Sequence, residues 1–252
     1  MHILSLSGVR ALGLIACLSF SASLAMAAQT NDPVIADAVN ETKVADDAID
    51  GPARIQGHIS LVSEDGERLR DRREMAHAVV YFEPDAVPDF TPTEEVVVMT
   101  TQRREFVPRV LTVVTGTEVR FPNEDPILHN VFSTSAGNRF DLGVYGESPG
   151  KSHRFDTPGL VRIFCNVHSR MSAHIVVVNS PYFITPDSDG SFTLDDVPPG
   201  AGRLTFWHER AEPQRVHIEL ESGEQYTHEV ELPLTVRQAA PQRERFRRRG
   251  RY

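Results

Sequence analysis

Short stretches of alternating apolar and polar residues recur along this 252-residue chain, and none of its longer stretches has the 3.6-residue apolar period of a helix. In residues 55–62, Ile55, Ile59 and Leu61 fall on one face of an extended strand, and Gln56 falls on the other. Seventeen prolines and sixteen glycines separate such stretches, as turns separate strands. The pattern predicts an all-β chain built from β-sandwiches.

Eleven stretches carry this strand pattern. They are residues 55–62, 78–82, 96–100, 110–114, 117–121, 160–165, 174–178, 191–194, 203–207, 215–220 and 226–232. Residues 133–150 contain four glycines and predict a loop-rich segment instead.

Residues 1–27 are typical of a secretory signal peptide, with one positive charge at Arg10, a mostly apolar stretch and a small-x-small cleavage site at 25–27. A second interpretation is a lipobox at residues 14–17, which makes Cys17 a lipid-bearing first residue. No other stretch approaches the roughly 20 apolar residues that span a bilayer. We therefore expect a periplasmic protein without a membrane span, soluble unless it is lipidated at Cys17.

The charge of the chain is asymmetric. The formal net charge is −9, and seven arginines against one glutamate give residues 237–252 a charge of +6. The acidic remainder argues against nucleic-acid binding. Residues 28–52 are polar and acidic, which predicts a flexible leader. Residues 236–252 are open to two interpretations, a disordered Arg-rich tail or a tail that contacts an acidic partner or an anionic surface.

The chain holds two cysteines, and cleavage after residue 27 would leave Cys165 unpaired in an oxidising compartment. Cys165, His168 and Met171 follow C-x2-H-x2-M spacing, and His129 lies 36 positions upstream. Two histidines, one cysteine and a weak axial methionine form the ligand set of blue-copper sites. Zinc is the other candidate metal, but structural zinc prefers four Cys or His ligands.

This part of the chain resembles the cupredoxins, especially amicyanin and pseudoazurin, over roughly residues 96–178. The segments that carry the resemblance are Phe106-Val107-Pro108, Gly116, Phe121-Pro122-Asn123, His129-Asn130-Val131, Pro158-Gly159 and the loop 165–171. The resemblance implies a Greek-key β-sandwich that holds one type 1 copper ion. It implies that the copper ligands are His129, Cys165, His168 and Met171, with Asn130 joining the two ligand loops and His168 at the solvent edge. Ser169 and Arg170 replace the proline and aromatic residue common in this loop, which argues against a flat apolar docking patch.

A second resemblance covers the flanks. Residues 54–84 and 183–207 are similar to the two halves of a carboxypeptidase regulatory-like (transthyretin-like) β-sandwich, with a D-x-D-G turn at 187–190 and a P-P-G turn at 198–200. We therefore predict this sandwich over residues 53–95 and 180–235, and a cupredoxin domain over 96–179. One interpretation inserts the cupredoxin into the second sandwich, and the other places the two in tandem.

Together these patterns predict a periplasmic single-electron carrier, with unknown redox proteins as partners, rather than an enzyme. The alternative is a copper-binding module for delivery or storage. A scaffold without a metal role fits the ligand set less well. The other histidines are scattered, and we predict that they lie at the surface: His58, His77, His153, His174, His208, His217 and His228.

Overall fold

The computed structural model of the chain describes residues 51–69, 72–86, 90 and 95–235. The predicted signal peptide, Cys17, nearly all of the predicted leader and the Arg-rich tail lie outside these residues. Within the described residues, no helix combines the length and apolarity that crossing a membrane requires.

The first sandwich, called here the terminal sandwich, takes its strands from both ends of the described chain. A three-stranded sheet of order β14-β1-β17 faces a four-stranded sheet of order β13-β2-β15-β16. Its elements are β1 (Ala53–Val62), α1 (Arg72–Met75), β2 (Ala78–Pro84), β13 (Tyr182–Ile184), β14 (Ser191–Val197), β15 (Gly200–His208), β16 (Gln214–Leu220) and β17 (Gln225–Pro233).

The second sandwich, called the central sandwich, is built from the strands between them. One sheet has the order β10-β7-β4-β5 with β3 also paired to β7, and the other has the order β6-β12-β11-β8-β9. Its strands are β3 (Val97–Val98), β4 (Thr100–Gln102), β5 (Glu105–Val107), β6 (Val110–Val114), β7 (Thr117–Asn123), β8 (His129–Ser133), β9 (Phe140–Tyr145), β10 (Ser148–Phe155), β11 (Gly159–Phe164) and β12 (Ser172–Val178). The predicted all-β fold class with two sandwiches is confirmed.

Pairing of distant strands holds the terminal sandwich together. Strand β1 pairs in parallel with β17 from Arg54↔Gln225 to Val62↔Pro233, and on its other edge it pairs antiparallel with β14. Strand β2 lies between β13 and β15. Each sheet therefore combines residues before position 85 with residues after position 181.

Each sandwich has its own apolar core, and a third cluster joins them. Ile55, Phe82 and Leu204 are buried in the terminal core, while Phe121 and Ile163 are buried in the central core. The third cluster packs side chains of β2 and β15 against side chains of β6 and β12; its buried members are Val79, Val110, Val176, Val178 and Trp207. Burial of apolar surface on both faces of β12 explains its nearly continuous apolar sequence.

The prediction that residues 133–150 are loop-rich is wrong, because β9 and the start of β10 occupy much of this segment. Glycine here makes irregular strands possible. Gly150 has a φ of +91°, and a Cβ atom at this position would lie 2.2 Å from the Phe121 carbonyl oxygen. The register between β10 and β7 shifts between Ser148 and Lys151. This bulge requires a glycine inside the strand. In the sequence, the same glycine is typical of a turn, so the segment resembles a loop.

Candidate metal centre

The candidate site lies where β8 begins and β11 ends. Val161 and Ile163 of β11 are fully buried, and the same alternation carries Cys165 to the inner side one residue beyond the strand end. Strand β8 pairs with β11 at Phe132↔Phe164 and starts at His129. The adjacent strands therefore bring a thiol and an imidazole from positions 36 residues apart to one end of the central sandwich.

Three donor atoms converge there. The Nδ1 atom of His129 lies 3.9 Å from Cys165 Sγ and 3.1 Å from His168 Nδ1. All three donor atoms lie within 4.8 Å of one another. These separations suit one ion at bond lengths of about 2.0–2.3 Å, as first-row metals form with nitrogen and sulfur ligands. A thiolate with two imidazoles is a donor set for copper or zinc, so the chemistry of the residues fits the predicted metal.

The loop between Cys165 and Met171 is closed by its own backbone. The Met171 N–H donates to the His168 carbonyl at 3.0 Å, and the Cys165 N–H donates to the Met171 carbonyl at 3.4 Å. The Met171 side chain is 3% exposed and belongs to the same buried cluster as Cys165. The structure therefore brings all four predicted ligand residues to one end of the central sandwich.

Asn130 connects the two ligand segments. Its backbone N–H donates to Cys165 Sγ at 3.5 Å, and its Oδ1 accepts a hydrogen bond from the Asn166 N–H at 3.4 Å. Its Nδ2 donates to Asp141 on β9 at 2.7 Å. An N–H group aimed at the sulfur stabilises negative charge on it, and the fixed side chain holds the loops in register.

Asp125 orients His129 and is the candidate site residue that the sequence pattern missed. Its Oδ2 lies 2.9 Å from His129 Nε2, and His129 is fully buried. A carboxylate on Nε2 keeps the proton there, which leaves the Nδ1 lone pair facing the other donor atoms. The only sequence signal is position, since Asp125 lies four residues before His129 in a proline-flanked loop.

The local environment favours the protonation states that metal binding needs. Burial lowers the pKa of His129 below its ordinary value, against the opposing effect of the Asp125 hydrogen bond. Burial alone would raise the pKa of Asp125, but hydrogen bonds from the backbone N–H groups of Arg104 and Arg103 outweigh it and lower that pKa. At neutral pH the pair is therefore a neutral imidazole and a carboxylate, and a metal ion does not have to displace a proton from Nδ1.

His168 lies at the edge of the site and is half-buried, whereas His129 is enclosed. Three exposed apolar side chains lie beside these two histidines in sequence or register: Leu128, Val144 and Val167. Ser169 and Arg170 are exposed as well. His168 is therefore flanked in sequence by exposed side chains of both kinds, apolar at Val167 and polar at Ser169 and Arg170.

The prediction of surface positions is wrong for His174 and His208, whose side chains are 13% and 0% exposed. His174 lies at the junction of the sandwiches, which alternation within one strand cannot indicate. His208 follows Leu204 and Phe206 on the inner face of β15, which faces the terminal core. His208 Nδ1 accepts the Arg210 N–H at 3.1 Å, so its Nε2 carries the proton and donates to the Glu74 carbonyl at 3.1 Å. With both ring nitrogens bonded, His208 is held as a neutral structural side chain.

Glu74, His77 and His208 form a second group whose potential ligand atoms lie within 4.8 Å of one another. Arginines already balance the carboxylates in this region. Arg210 Nη1 lies 3.2 Å from Glu74 Oε2, and Arg109 Nε lies 2.7 Å from Glu209 Oε2. A divalent ion would add uncompensated positive charge, so we interpret this group as an ionic cluster of the terminal sandwich. The Arg109–Glu209 pair beside it links the two sandwiches.

No protein-family model matches the chain, and no curated protein matches it. Among solved structures, it is similar to a purple cupredoxin from Nitrosopumilus maritimus, with 20% identity and a TM-score of 0.29 over 32% of this chain and 99% of that one. It is also similar to a reduced variant of amicyanin, with 17% identity and a TM-score of 0.32 over 39% of this chain and 99% of that one. Amicyanin from Paracoccus versutus is 16% identical, with a TM-score of 0.32 over 39% of this chain and 98% of that one. The chain is thus similar to cupredoxins over part of its length.

Proposed function

We propose that the protein is a periplasmic type 1 copper protein that carries single electrons between redox proteins. The observation that carries the proposal is the meeting of one buried thiol and two imidazole Nδ1 atoms within 4.8 Å. Copper bound there would supply one-electron chemistry by cycling between Cu(II) and Cu(I).

Rigidity of the ligand residues supports an electron-transfer role over a delivery role. The Asp125 carboxylate bonds to His129 Nε2, the ring nitrogen that faces away from the other donor atoms. Asn130 joins the Cys165 loop to β8 and β9. Backbone hydrogen bonds close the loop that carries Met171. A site held in this way needs little rearrangement when its charge changes, which favours fast electron exchange.

His168 is the residue through which we expect electrons to enter and leave. It is the half-buried member of the donor set, and its Nδ1 lies 3.1 Å from the enclosed His129 Nδ1. Partner proteins would approach at the rim that includes Val167, which is 45% exposed. We also propose that the protein is exported, that it exchanges electrons with redox partner proteins, and that it catalyses no reaction in which bonds are made or broken.

The first experiment is a titration of the mature protein with Cu(II), followed by visible absorption. We expect a strong thiolate-to-copper band that disappears on reduction and returns on reoxidation, with copper retained in both states. Cys165→Ser should remove the band, because serine cannot supply a thiolate. His153→Gln, at a half-buried histidine outside the site, should leave it intact.

Two results would contradict the proposal. A band that persists in Cys165→Ser would show that another group binds the copper. Release of the copper to a chelator on every reduction would favour delivery or storage over electron transfer.

A further inference from the structure

A cavity of about 550 Å³ lies beside the candidate metal centre. Its wall combines the end of α1 and His77 with the β4–β5 turn, Arg109 and the Arg170–Ser172 segment. Its volume falls within the range of small-molecule sites. Met171, a predicted copper ligand, forms part of the wall.

Four guanidinium-bearing residues line this cavity: Arg73, Arg104, Arg109 and Arg170. Two carboxylate residues, Glu74 and Glu105, also line it, so the lining has an excess of positive charge. This excess stands out in a chain whose formal net charge is −9. A cluster of arginines that carboxylates do not fully neutralise is a site for an oxyanion, because the planar guanidinium donates paired hydrogen bonds to carboxylate.

Arg104 and Arg170 supply the positive charge of the cavity that is not taken up in ion pairs. Within the described residues, neither side chain forms an ion pair, and both are exposed toward solvent. Arg109 is fixed instead by Glu209 at 2.7 Å and by the Ser172 carbonyl at 3.3 Å. Arg104 and Arg170 can therefore turn toward an anion without breaking an ion pair of the protein.

Three apolar residues also line the cavity. Phe106 and Met171 are 3% exposed, and Val107, which is 45% exposed, lies next to Phe106 on β5. Apolar walls with a few charged groups favour a ligand that has a charged end and an apolar body. An inorganic anion would use the arginines and leave the exposed Val107 side chain in contact with water.

We propose that this cavity binds a small organic carboxylate, with its charged end at Arg104 and Arg170 and its apolar body against Val107, beside Phe106 and Met171 in the wall. The site is close to the metal centre at two points. The Arg104 backbone N–H and His129 Nε2 both bond to Asp125, and Arg170 directly precedes Met171. The proposal does not require bound copper, so it can be tested on the copper-free protein.

The test uses the full copper-free protein with ¹³C-methyl-labelled methionine, titrated at low ionic strength with benzoate and with hexanoate. We expect saturable shifts of the Met171 methyl signal with at least one of the two carboxylates, while the Met99 signal in the same core stays unchanged. Benzyl alcohol, which has no charge, should bind at least about tenfold more weakly than benzoate.

Arg104→Gln and Arg170→Gln should each weaken carboxylate binding about tenfold. Arg139→Gln is the matched control, because Arg139 is exposed and does not line the cavity. Equal urea midpoints would show that each variant is folded. The proposal is wrong if neither carboxylate binds below about 10 mM, if Met99 shifts in place of Met171, or if Arg139→Gln weakens binding as much as the other two.

Discussion

At the scale of single residues, one carboxylate links the candidate metal centre to the β4–β5 turn. Asp125 Oδ2 lies 2.9 Å from His129 Nε2 and accepts the Arg104 N–H at 2.8 Å, while Oδ1 accepts the Arg103 N–H at 2.7 Å. Arg103 and Arg104 have φ values of 53° and 60°, which turn both N–H groups toward the same side chain. The β4–β5 turn therefore fixes the position of the carboxylate, and the carboxylate fixes the orientation of the His129 ring.

Asp125→Asn should weaken copper binding about 10- to 100-fold, as loss of such partners does in other metal sites. The amide keeps one acceptor oxygen for three donors, so either the turn or the His129 ring loses its bond. Competition with a chromophoric copper chelator measures the change. Glu124→Gln, at the exposed neighbouring carboxylate, is the control and should alter affinity less than twofold. Unchanged affinity in Asp125→Asn would mean that the His129 ring is held by packing alone.

The sequence predicts the candidate metal ligands better than it predicts the residues that hold them in position. Cys165, His168 and Met171 are close in sequence, so their spacing alone predicts that they bind the same metal ion. Asp125 acts through contacts with residues 21 and 22 positions before it, and no local pattern encodes that geometry. Asn130 is predictable only through the family resemblance, since an asparagine beside a histidine has no fixed meaning by itself.

At the scale of elements, glycine explains why the sequence pattern predicts a loop where strands β9 and β10 lie. Strands β1, β6, β7 and β12 follow plain alternation or continuous apolar runs and are found close to their predicted bounds. Strands β9 and β10 contain Gly143 and Gly150 at φ values of +71° and +91°. Because the same residue serves turns and bulges, composition alone could not tell these strands from a loop.

Gly57 tests the organisation of the terminal sandwich. A Cβ atom at this position would lie 1.8 Å from the His228 carbonyl oxygen and 2.9 Å from the Phe192 ring, and both partners belong to C-terminal strands. We propose the first of the two interpretations, insertion of the central sandwich into the terminal one, because β1 pairs with β14 and β17. Gly57→Ala should then lower the free energy of unfolding by about 3 kcal/mol. Urea unfolding measures this loss.

Gly51→Ala is the matched control, since a Cβ atom there would have no heavy atom within 4 Å. It should change the stability by less than about 0.5 kcal/mol. A Gly57→Ala variant as stable as the wild type would contradict the insertion and favour two sandwiches in tandem.

At the scale of the whole molecule, the two sandwiches meet through a small apolar cluster bordered by charge. Trp207 of β15 packs in this cluster, and its ring lies edge-on to the His174 ring with centroids 5.5 Å apart. His174 Nδ1 lies 3.6 Å from Glu209 Oε2, which also pairs with Arg109 from the central sandwich. Because a titratable ring is buried at this junction, we expect the attachment of the sandwiches to be sensitive to pH.

Burial lowers the pKa of His174 to about 4, against the opposing effect of Glu209. The other charged or titratable groups that act on it are Arg109, Arg162 and His77. The ordinary value is 6.5, so the unfolded chain takes up this proton first as the pH falls. The stability is therefore fully present above pH 6.5 and is lost progressively as the pH falls toward 4.

His174→Gln should remove this part of the pH dependence, because glutamine does not titrate. Between pH 7 and pH 5 the wild type should lose about 2 kcal/mol more stability than the variant. Urea unfolding followed by the emission of Trp207, the one tryptophan in the chain, measures both proteins at the junction itself. His217→Gln, at an exposed histidine, should keep the wild-type slope. If the His174→Gln slope matched that of the wild type, the acid sensitivity would have to come from other groups, and the junction would be held by its apolar contacts and by ion pairs that do not titrate in this range.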